Sequence, residues 1–242
     1  MKKIYIYLVR SLLNFFDYFQ QKKIISFFKK YLKNNHIIFF DIGSHYGETV
    51  KKFEKVLNVK EFHCFEASPK NFEILTKRIH QKDKIFKYHL NNLGLGNQNG
   101  EVFLNQTKES SSSTINKLNF NSKYLKRKLR ILNISEQENY FKKIPIKLIK
   151  LDNYIEEKKI EMIDIIKIDT EGFEFNILKG LKKNFKKVKL IYFEHHYDDM
   201  ILKEYSFSDI HNLIISHGFK KVFKSKMYFR KSFEYVYKNN LF

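Results

Sequence analysis

The chain of 242 residues is poor in several residue types: it contains one cysteine, Cys64, two prolines, one alanine and no tryptophan. A single cysteine excludes an internal disulfide framework and fits a reducing cytoplasm. No apolar run approaches the ~20 residues that a membrane-spanning helix needs. The short apolar stretch at the N-terminus is not followed by a small-residue cleavage site, so we expect no signal peptide. These absences favour a cytoplasmic globular protein.

Arginine is also scarce: the chain has 5 arginines and 41 lysines within a formal net charge of +20. Such a charge usually indicates nucleic acid or an anionic membrane as the partner. We expect no nucleic-acid partner, because lysine-rich and alanine-poor composition is typical of A+T-rich bacterial genomes. Arginine, the residue best suited to binding phosphate with two hydrogen bonds, is rare. The basic bias is compatible with an anionic substrate.

An amphipathic pattern covers residues 4–33 and predicts a helix. Lysines lie on its polar side, and apolar residues recur at helical spacing: Leu8, Leu12, Phe15, Phe16, Phe19, Ile24, Ile25, Phe28 and Leu32. Packing against the rest of the protein is the commoner reason for such a stripe. Peripheral contact with the inner face of a membrane and pairing in a homodimer remain alternatives. We therefore expect a helical extension over residues 1–36 and one domain over residues 37–242.

Strand-like and helix-like segments alternate from residue 37 onward, without a linker or a repeat. A helical pattern over 206–217 ends at Gly218, and apolar segments typical of strands cover 37–40, 62–65, 85–90, 100–104, 144–151, 162–169, 188–193, 219–229 and 233–239. This alternation predicts an α/β fold with a doubly wound, mostly parallel, Rossmann-like sheet. The last two segments predict an antiparallel hairpin at the edge of that sheet.

The ends of the first two strands carry residues typical of a nucleotide site. The sequence Asp-Ile-Gly-Ser-His-Tyr-Gly runs from Asp41 to Gly47, and Glu66 ends the second strand. Strand, glycine turn, helix and a strand ending in a carboxylate form one half of a nucleotide-binding sheet. Asp41 would repel a diphosphate but suits the amino group and sulfonium of S-adenosylmethionine (SAM). We expect Asp41 to face that amino group, Gly43 and Gly47 to line the cofactor, and Glu66 to hold the ribose.

Two further strands end in acidic and histidine residues: Asp169 with Glu171, and Glu194 with His195 and His196. Ligands of doubly wound sheets bind outside the carboxyl ends of the strands. Side chains alternate along a strand, so Glu194 and His196 share a face while His195 points away. We expect Asp169, Glu194 and His196 to form a catalytic set, with a neutral His196 as the first choice of base. Glu171 would orient the substrate or be structural.

Five segments together resemble the FkbM family of SAM-dependent methyltransferases. They are residues 40–48, 65–69, 151–154, 166–180 and 193–196. The most discriminating is Lys-Ile-Asp-x-Glu-Gly-x-Glu, which begins at Lys167. The resemblance covers about residues 37–200. Two positions in the cofactor region depart from the family pattern: His45 replaces a common asparagine, and Gly94 a common alanine.

The resemblance implies methyl transfer from SAM to an oxygen, commonly a hydroxyl of a sugar or of a glycolipid-like metabolite. By position, Asn91 or Asn92 would lie near the adenine. The expected acceptor is a small molecule or a glycan precursor of a surface polysaccharide, and the serine loop at residues 110–113 could bind it. We expect no resident metal.

Three alternatives remain open. The first is metal-assisted O-methylation of a small molecule, with ligands drawn from Asp169, Glu194, His196, Asp198 and Asp199. The second is an RNA methyltransferase, suggested by the net charge. The third is a non-catalytic module that binds a membrane surface or RNA.

Overall fold

The computed structural model describes residues 22–32, 36–80, 86–134, 140–227 and 231–242. The strands in these ranges are β1 (Ile37–Ile42), β2 (Val59–Phe65), β3 (Lys87–Asn91), β4 (Gly94–Gly96), β5 (Gly100–Thr107), β6 (Phe141–Lys150), β7 (Ile163–Ile168), β8 (Val188–His196), β9 (Phe219–Lys226) and β10 (Ser232–Asn239). The helices are α1 (22–31), α2 (Glu48–Phe53), α3 (Pro69–His80), α4 (Lys123–Leu132), α5 (Leu151–Glu157), α6 (Glu174–Lys179) and α7 (Phe207–Ser216).

Seven strands form the main sheet, in the order β3-β2-β1-β7-β8-β10-β9. The strands from β3 to β8 in this order run parallel, whereas β10 runs antiparallel to both β8 and β9. The prediction of a mostly parallel, doubly wound sheet with an antiparallel edge hairpin is therefore confirmed. Strand order reverses between β1 and β7, and such sheets bind ligands at the carboxyl ends beside the reversal.

A second, three-stranded sheet has the order β4-β6-β5. It contains the predicted strands at 100–104 and 144–151, which pair antiparallel as β5 and β6. Buried and exposed positions mix along both strands, whereas every residue of β7 in the main sheet is buried. The second sheet therefore has one face in the core and one toward solvent, which is typical of antiparallel pairs.

The apolar core lies on both faces of the main sheet. One cluster includes Phe40, Ile166 and Phe193 with residues of α5, α6 and α7. The other cluster includes Phe39 and Ile165 with residues of α1, α2 and α3. Neighbouring residues of one strand enter opposite clusters, because side chains alternate across a sheet.

Helix α1 packs onto the second of these clusters. Its Ile24 and Phe28 are buried, and the ring of Phe28 lies 5.5 Å from the rings of both Phe53 and Tyr192. The rest of the predicted helix, residues 4–21 and 33, lies outside the described residues. Within the described ranges, no helix is both long and apolar enough to span a bilayer.

Candidate active site

A cavity of about 490 Å³ opens at the carboxyl ends of the parallel strands. Because β1 and β7 lie between β2 and β8, Glu66 borders it on one side, and Glu194 and His196 border it on the other. The segment between β5 and β6 also contributes lining residues: Ser110, Ser111, Ser112, Ser113, Ile115, Tyr124 and Lys128. The volume lies within the range of small-molecule sites, roughly 300–1,000 Å³.

Glu66 is held firmly at the end of β2. Its Oε2 accepts the backbone N–H of His45 at 2.8 Å, and its Oε1 accepts the backbone N–H of Ser68 at 2.9 Å. Burial raises the pKa of Glu66, and these hydrogen bonds oppose that rise. A carboxylate has about four acceptor positions, so this one retains capacity for ribose hydroxyls in the cavity that it lines.

Gly43 lies where the end of β1 meets the end of β7. Its φ is +83°, and a Cβ added there would lie 1.9 Å from the backbone oxygen of Asp169. No other residue type fits this contact without moving backbone. Gly43 also lines the cavity, whereas Gly47, with the same φ of +83°, makes room for Leu75 of α3 and is not among the lining residues.

Asp41 is fully buried beneath the cavity rather than in its lining. Neither oxygen of its carboxylate has a hydrogen-bond partner among the residues that the structure describes. The nearest cation is Lys167, whose Nζ lies 3.7 Å from Asp41 and 3.1 Å from Asp169. Burial raises the pKa of Asp41, and the charge of Lys167 opposes this rise. The predicted contact of Asp41 with the amino group of SAM stays a prediction.

Asn91 and Asn92 hold the ends of β2 and β3 together. The Asn91 amide donates to the backbone oxygen of Cys64 at 3.1 Å, and the Asn92 amide donates to the backbone oxygen of Glu66 at 2.9 Å. Neither asparagine is among the lining residues of the cavity. Their contact with adenine stays a prediction.

The acidic residues expected at the ends of β7 and β8 converge on His196. Its Nε2 lies 3.4 Å from Glu194 and 3.8 Å from Glu171, and its Nδ1 lies 3.6 Å from Asp198. All four residues line the cavity, as does Asp169. The structure thus brings together the four predicted catalytic residues and adds Asp198.

This environment changes the protonation of His196. Burial alone would lower its pKa, but the charges of Glu171, Asp198 and Glu194 raise it to about 10. The ring is therefore an imidazolium near pH 7, not the neutral base expected from the sequence. The reason is the number of carboxylates around it. Burial also raises the pKa of Glu194, and it raises that of Glu171 to about 7, so Glu171 titrates near neutral pH.

His195 points to the opposite face of β8, as strand alternation predicted. Its ring packs 5.6 Å from Phe207 and 4.8 Å from Tyr197. Burial lowers its pKa to about 3, so it is a neutral core residue.

The turn after β7 is fixed by Glu174, which sequence reasoning did not single out as a site residue. Its Oε1 accepts the backbone N–H of Thr170 at 3.2 Å and that of Gly172 at 3.0 Å. Thr114, from the segment between β5 and β6, donates its hydroxyl to the backbone oxygen of Glu171 at 2.7 Å. Glu171 has a φ of +52°, in the left-handed region. The turn is thus held from two directions while it presents Glu171 to the cavity.

The serine loop contacts the turn after β1. The Oγ of Ser110 lies 2.7 Å from His45 Nε2 and 2.9 Å from the hydroxyl of Tyr46. Lys128 forms an ion pair with Glu109 at 2.7 Å. Lys128 and Tyr124 were not predicted as site residues, because α4 carries no recognisable motif and reaches the cavity only through tertiary packing.

The sheet topology, the carboxylate at the end of β2 and the ligand-sized cavity beside the reversal of strand order together define the class of fold, which is a Rossmann-like, nucleotide-binding fold.

The family assignment comes from comparison with known proteins. The sequence model described as "Methyltransferase FkbM domain" matches residues 41–221. The chain therefore belongs to the FkbM methyltransferase family. No curated protein sequence matches it.

Solved structures share the fold at low sequence identity. The methyltransferase FkbM from Methylobacillus flagellatus KT has a TM-score of 0.53 and 14% identity, over 84% of this chain and 44% of that chain. The chain thus spans less than half the length of that protein. The magnesium protoporphyrin IX methyltransferase from Synechocystis PCC 6803, solved with SAM, has a TM-score of 0.51 and 6% identity, over 91% of this chain and 78% of that chain.

Proposed function

We propose that this protein transfers the methyl group of SAM to a hydroxyl of a sugar or glycan precursor. The observation that carries the proposal is the cluster of His196 with Glu171, Glu194 and Asp198, which opens into the same cavity as Glu66. When bound, SAM supplies an electrophilic methyl group on a sulfonium. The chain must also supply a group that accepts the proton of the acceptor hydroxyl.

Glu171 is suited to receive that proton. A general base works best when its pKa lies near the working pH, and the pKa of Glu171 is raised to about 7. The imidazolium of His196 lies 3.8 Å away and stabilises the carboxylate. We propose that Glu171 accepts the proton and that His196 and Glu194 orient the hydroxyl. Asp169 lines the part of the cavity between SAM and the acceptor.

The segment between β5 and β6 supports a sugar as the acceptor. Tyr124 lines the cavity with 38% of its surface exposed, next to Lys128 and the serine loop. An aromatic face beside hydrogen-bonding groups suits a sugar ring, which has both apolar and polar surfaces.

Metal assistance is not part of the proposal. Within the described ranges, the group of three ionisable side chains whose ligand atoms all lie within 4.8 Å of one another is on β2 and β3, outside the cavity. We therefore expect initial rates of methyl transfer to be the same with and without EDTA.

The experiment is a transfer assay with methyl-labelled SAM and the full chain. Nucleotide sugars, oligosaccharides and total RNA serve as separate acceptors. We expect label in a sugar fraction, a large loss of transfer in Glu171→Gln, and no loss in the control Glu161→Gln, which changes an exposed acid away from the cavity. Label in RNA and in none of the sugars would contradict the proposal.

A further inference from the structure

A second group of ionisable side chains lies outside the cavity, on β2 and β3. Glu61 and His63 are two residues apart on β2, so they share one face of the sheet, and His89 is the direct neighbour of His63 on β3. The candidate ligand atoms of the three side chains lie within 4.8 Å of one another. None of the three lines the cavity.

The distances around Glu61 match those between the ligands of a tetrahedral zinc ion. Its Oε2 lies 3.1 Å from His89 Nε2 and 3.7 Å from His63 Nε2. With bonds of about 2.0–2.1 Å, neighbouring ligand atoms around zinc are about 3.3–3.4 Å apart. The two distances bracket this value, and the candidate nitrogens of the two histidines lie within 4.8 Å of each other.

The support of His63 also suits a metal ligand. Its Nδ1 lies 2.8 Å from the hydroxyl of Tyr154, which leaves Nε2 directed toward Glu61. Metal-binding histidines usually make such a hydrogen bond through their second nitrogen, because it fixes the tautomer and the ring orientation.

The surroundings allow an ion to enter. The side chain of His89 is 27% exposed and that of Glu61 is 17% exposed. The two imidazole rings lie at 9° to each other with centroids 4.2 Å apart, so the outer ring, His89, must tilt toward the ion. Lys87, 3.6 Å from Glu61, is 63% exposed and can turn into solvent.

We propose that Glu61, His63 and His89 bind one zinc ion, with water as the fourth ligand. Two imidazoles, one carboxylate and water form a known zinc ligand set. The ion would tie the edge strand β3 to β2, a few residues before Glu66. It would be structural, because its ligands lie on the strands and not in the cavity.

The test is calorimetric titration of zinc chloride into the full chain after EDTA treatment and dialysis. We expect one equivalent of zinc to bind and the melting temperature to rise. Substitution of Co²⁺ for the bound Zn²⁺ should give the visible absorption that is typical of tetrahedral Co²⁺. Loss of a supporting residue around a metal lowers affinity ~10–100-fold, so loss of a ligand in His89→Ala or Glu61→Gln should lower it at least as much. Both side chains are partly exposed, so both variants should fold.

Two control variants separate this site from others. Glu101→Gln changes an exposed acid on β5, and His196→Ala removes the histidine of the cavity; both should bind zinc as the unchanged chain does. The proposal would be overturned if the unchanged chain bound no zinc. It would also be overturned if binding survived in His89→Ala and Glu61→Gln, or if binding were lost in His196→Ala. The result is independent of the acceptor and of methyl transfer.

Discussion

At the scale of single residues, the carboxylate of Glu66 carries the expected contact with the ribose. Its oxygens already accept two backbone N–H groups, which fix their direction toward the cavity. Glu66→Gln keeps the shape but removes the charge. Hydrogen bonds to a charged group contribute about 1.5–3 kcal/mol, so we expect the affinity for S-adenosylhomocysteine to fall ~10–100-fold in calorimetry.

The matched control for that variant is Glu73→Gln. Glu73 lies on α3 and pairs with Lys77 at 2.6 Å on the exposed surface. The control should bind S-adenosylhomocysteine as the unchanged chain does. Equal affinities for Glu66→Gln and for Glu73→Gln would show that the ribose is held elsewhere.

The two raised pKa values at the other side of the cavity predict how activity depends on pH. Because the pKa of Glu171 is about 7 and that of His196 about 10, transfer should rise as pH passes 7, when Glu171 loses its proton. It should fall as pH passes 10, when His196 loses its charge. Glu171→Gln should abolish the lower limb and reduce the rate ~10²–10⁴-fold. A lower limb that persists in this variant would assign the base to another residue.

At the scale of elements, the close contact between β1 and β7 depends on Gly43. Gly43 and Gly218 have the same φ of +83°, but a Cβ would meet backbone only at Gly43 and nothing within 4 Å at Gly218. Gly218→Ala should therefore lower the free energy of unfolding by the backbone strain alone, ~1–2 kcal/mol. Gly43→Ala should lower it by at least a further ~1–3 kcal/mol from the clash. Urea denaturation of the two variants measures the difference, and equal losses would contradict the account.

Helix α1 offers a second test at this scale. Phe28 is completely buried against Phe53 and Tyr192, whereas Lys29 beside it is exposed. Phe28→Ala should lower the free energy of unfolding by ~3–5 kcal/mol, as for other buried phenylalanines. Lys29→Ala should have little effect. If Phe28→Ala proved as stable as Lys29→Ala, α1 would not be part of the folded domain in solution.

Sequence patterns predicted the main sheet well for a physical reason. β7 and β8 are largely buried on both faces, so their segments are mostly apolar, with charged residues at a few positions. α7 begins after Ser206, whose side chain caps it, and it ends before Gly218. The membership of β5 and β6 in a second sheet was not predicted, because pairing between distant segments is not a local property of either segment.

The same contrast applies to the site. Glu66, Glu171, Glu194 and His196 were expected to line one cavity because the ends of parallel strands meet at one edge of a sheet. The role of Lys167 as the cation between Asp41 and Asp169 was not predicted, because a lysine within an apolar strand gives no indication of its partners. The imidazolium of His196 depends on carboxylates from separate turns, which only the fold brings together.

At the scale of the whole molecule, the protein combines a methyltransferase sheet with an insertion between β5 and β6. The sheet places Glu66 and the cluster around His196 on either side of one cavity, and the insertion adds the serine loop, Tyr124 and Lys128. In the proposed function, the sheet serves the cofactor and the proton transfer, and the insertion selects the acceptor. Differences in acceptor between family members should then follow differences in this segment.

The most direct measurement is a crystal structure of the full chain with S-adenosylhomocysteine. We expect the ribose hydroxyls to lie within hydrogen-bonding distance of the Glu66 carboxylate, and the sulfur to face the side of the cavity that contains Asp169 and His196. S-adenosylhomocysteine bound at another place, or bound here without contact to Glu66, would contradict this expectation.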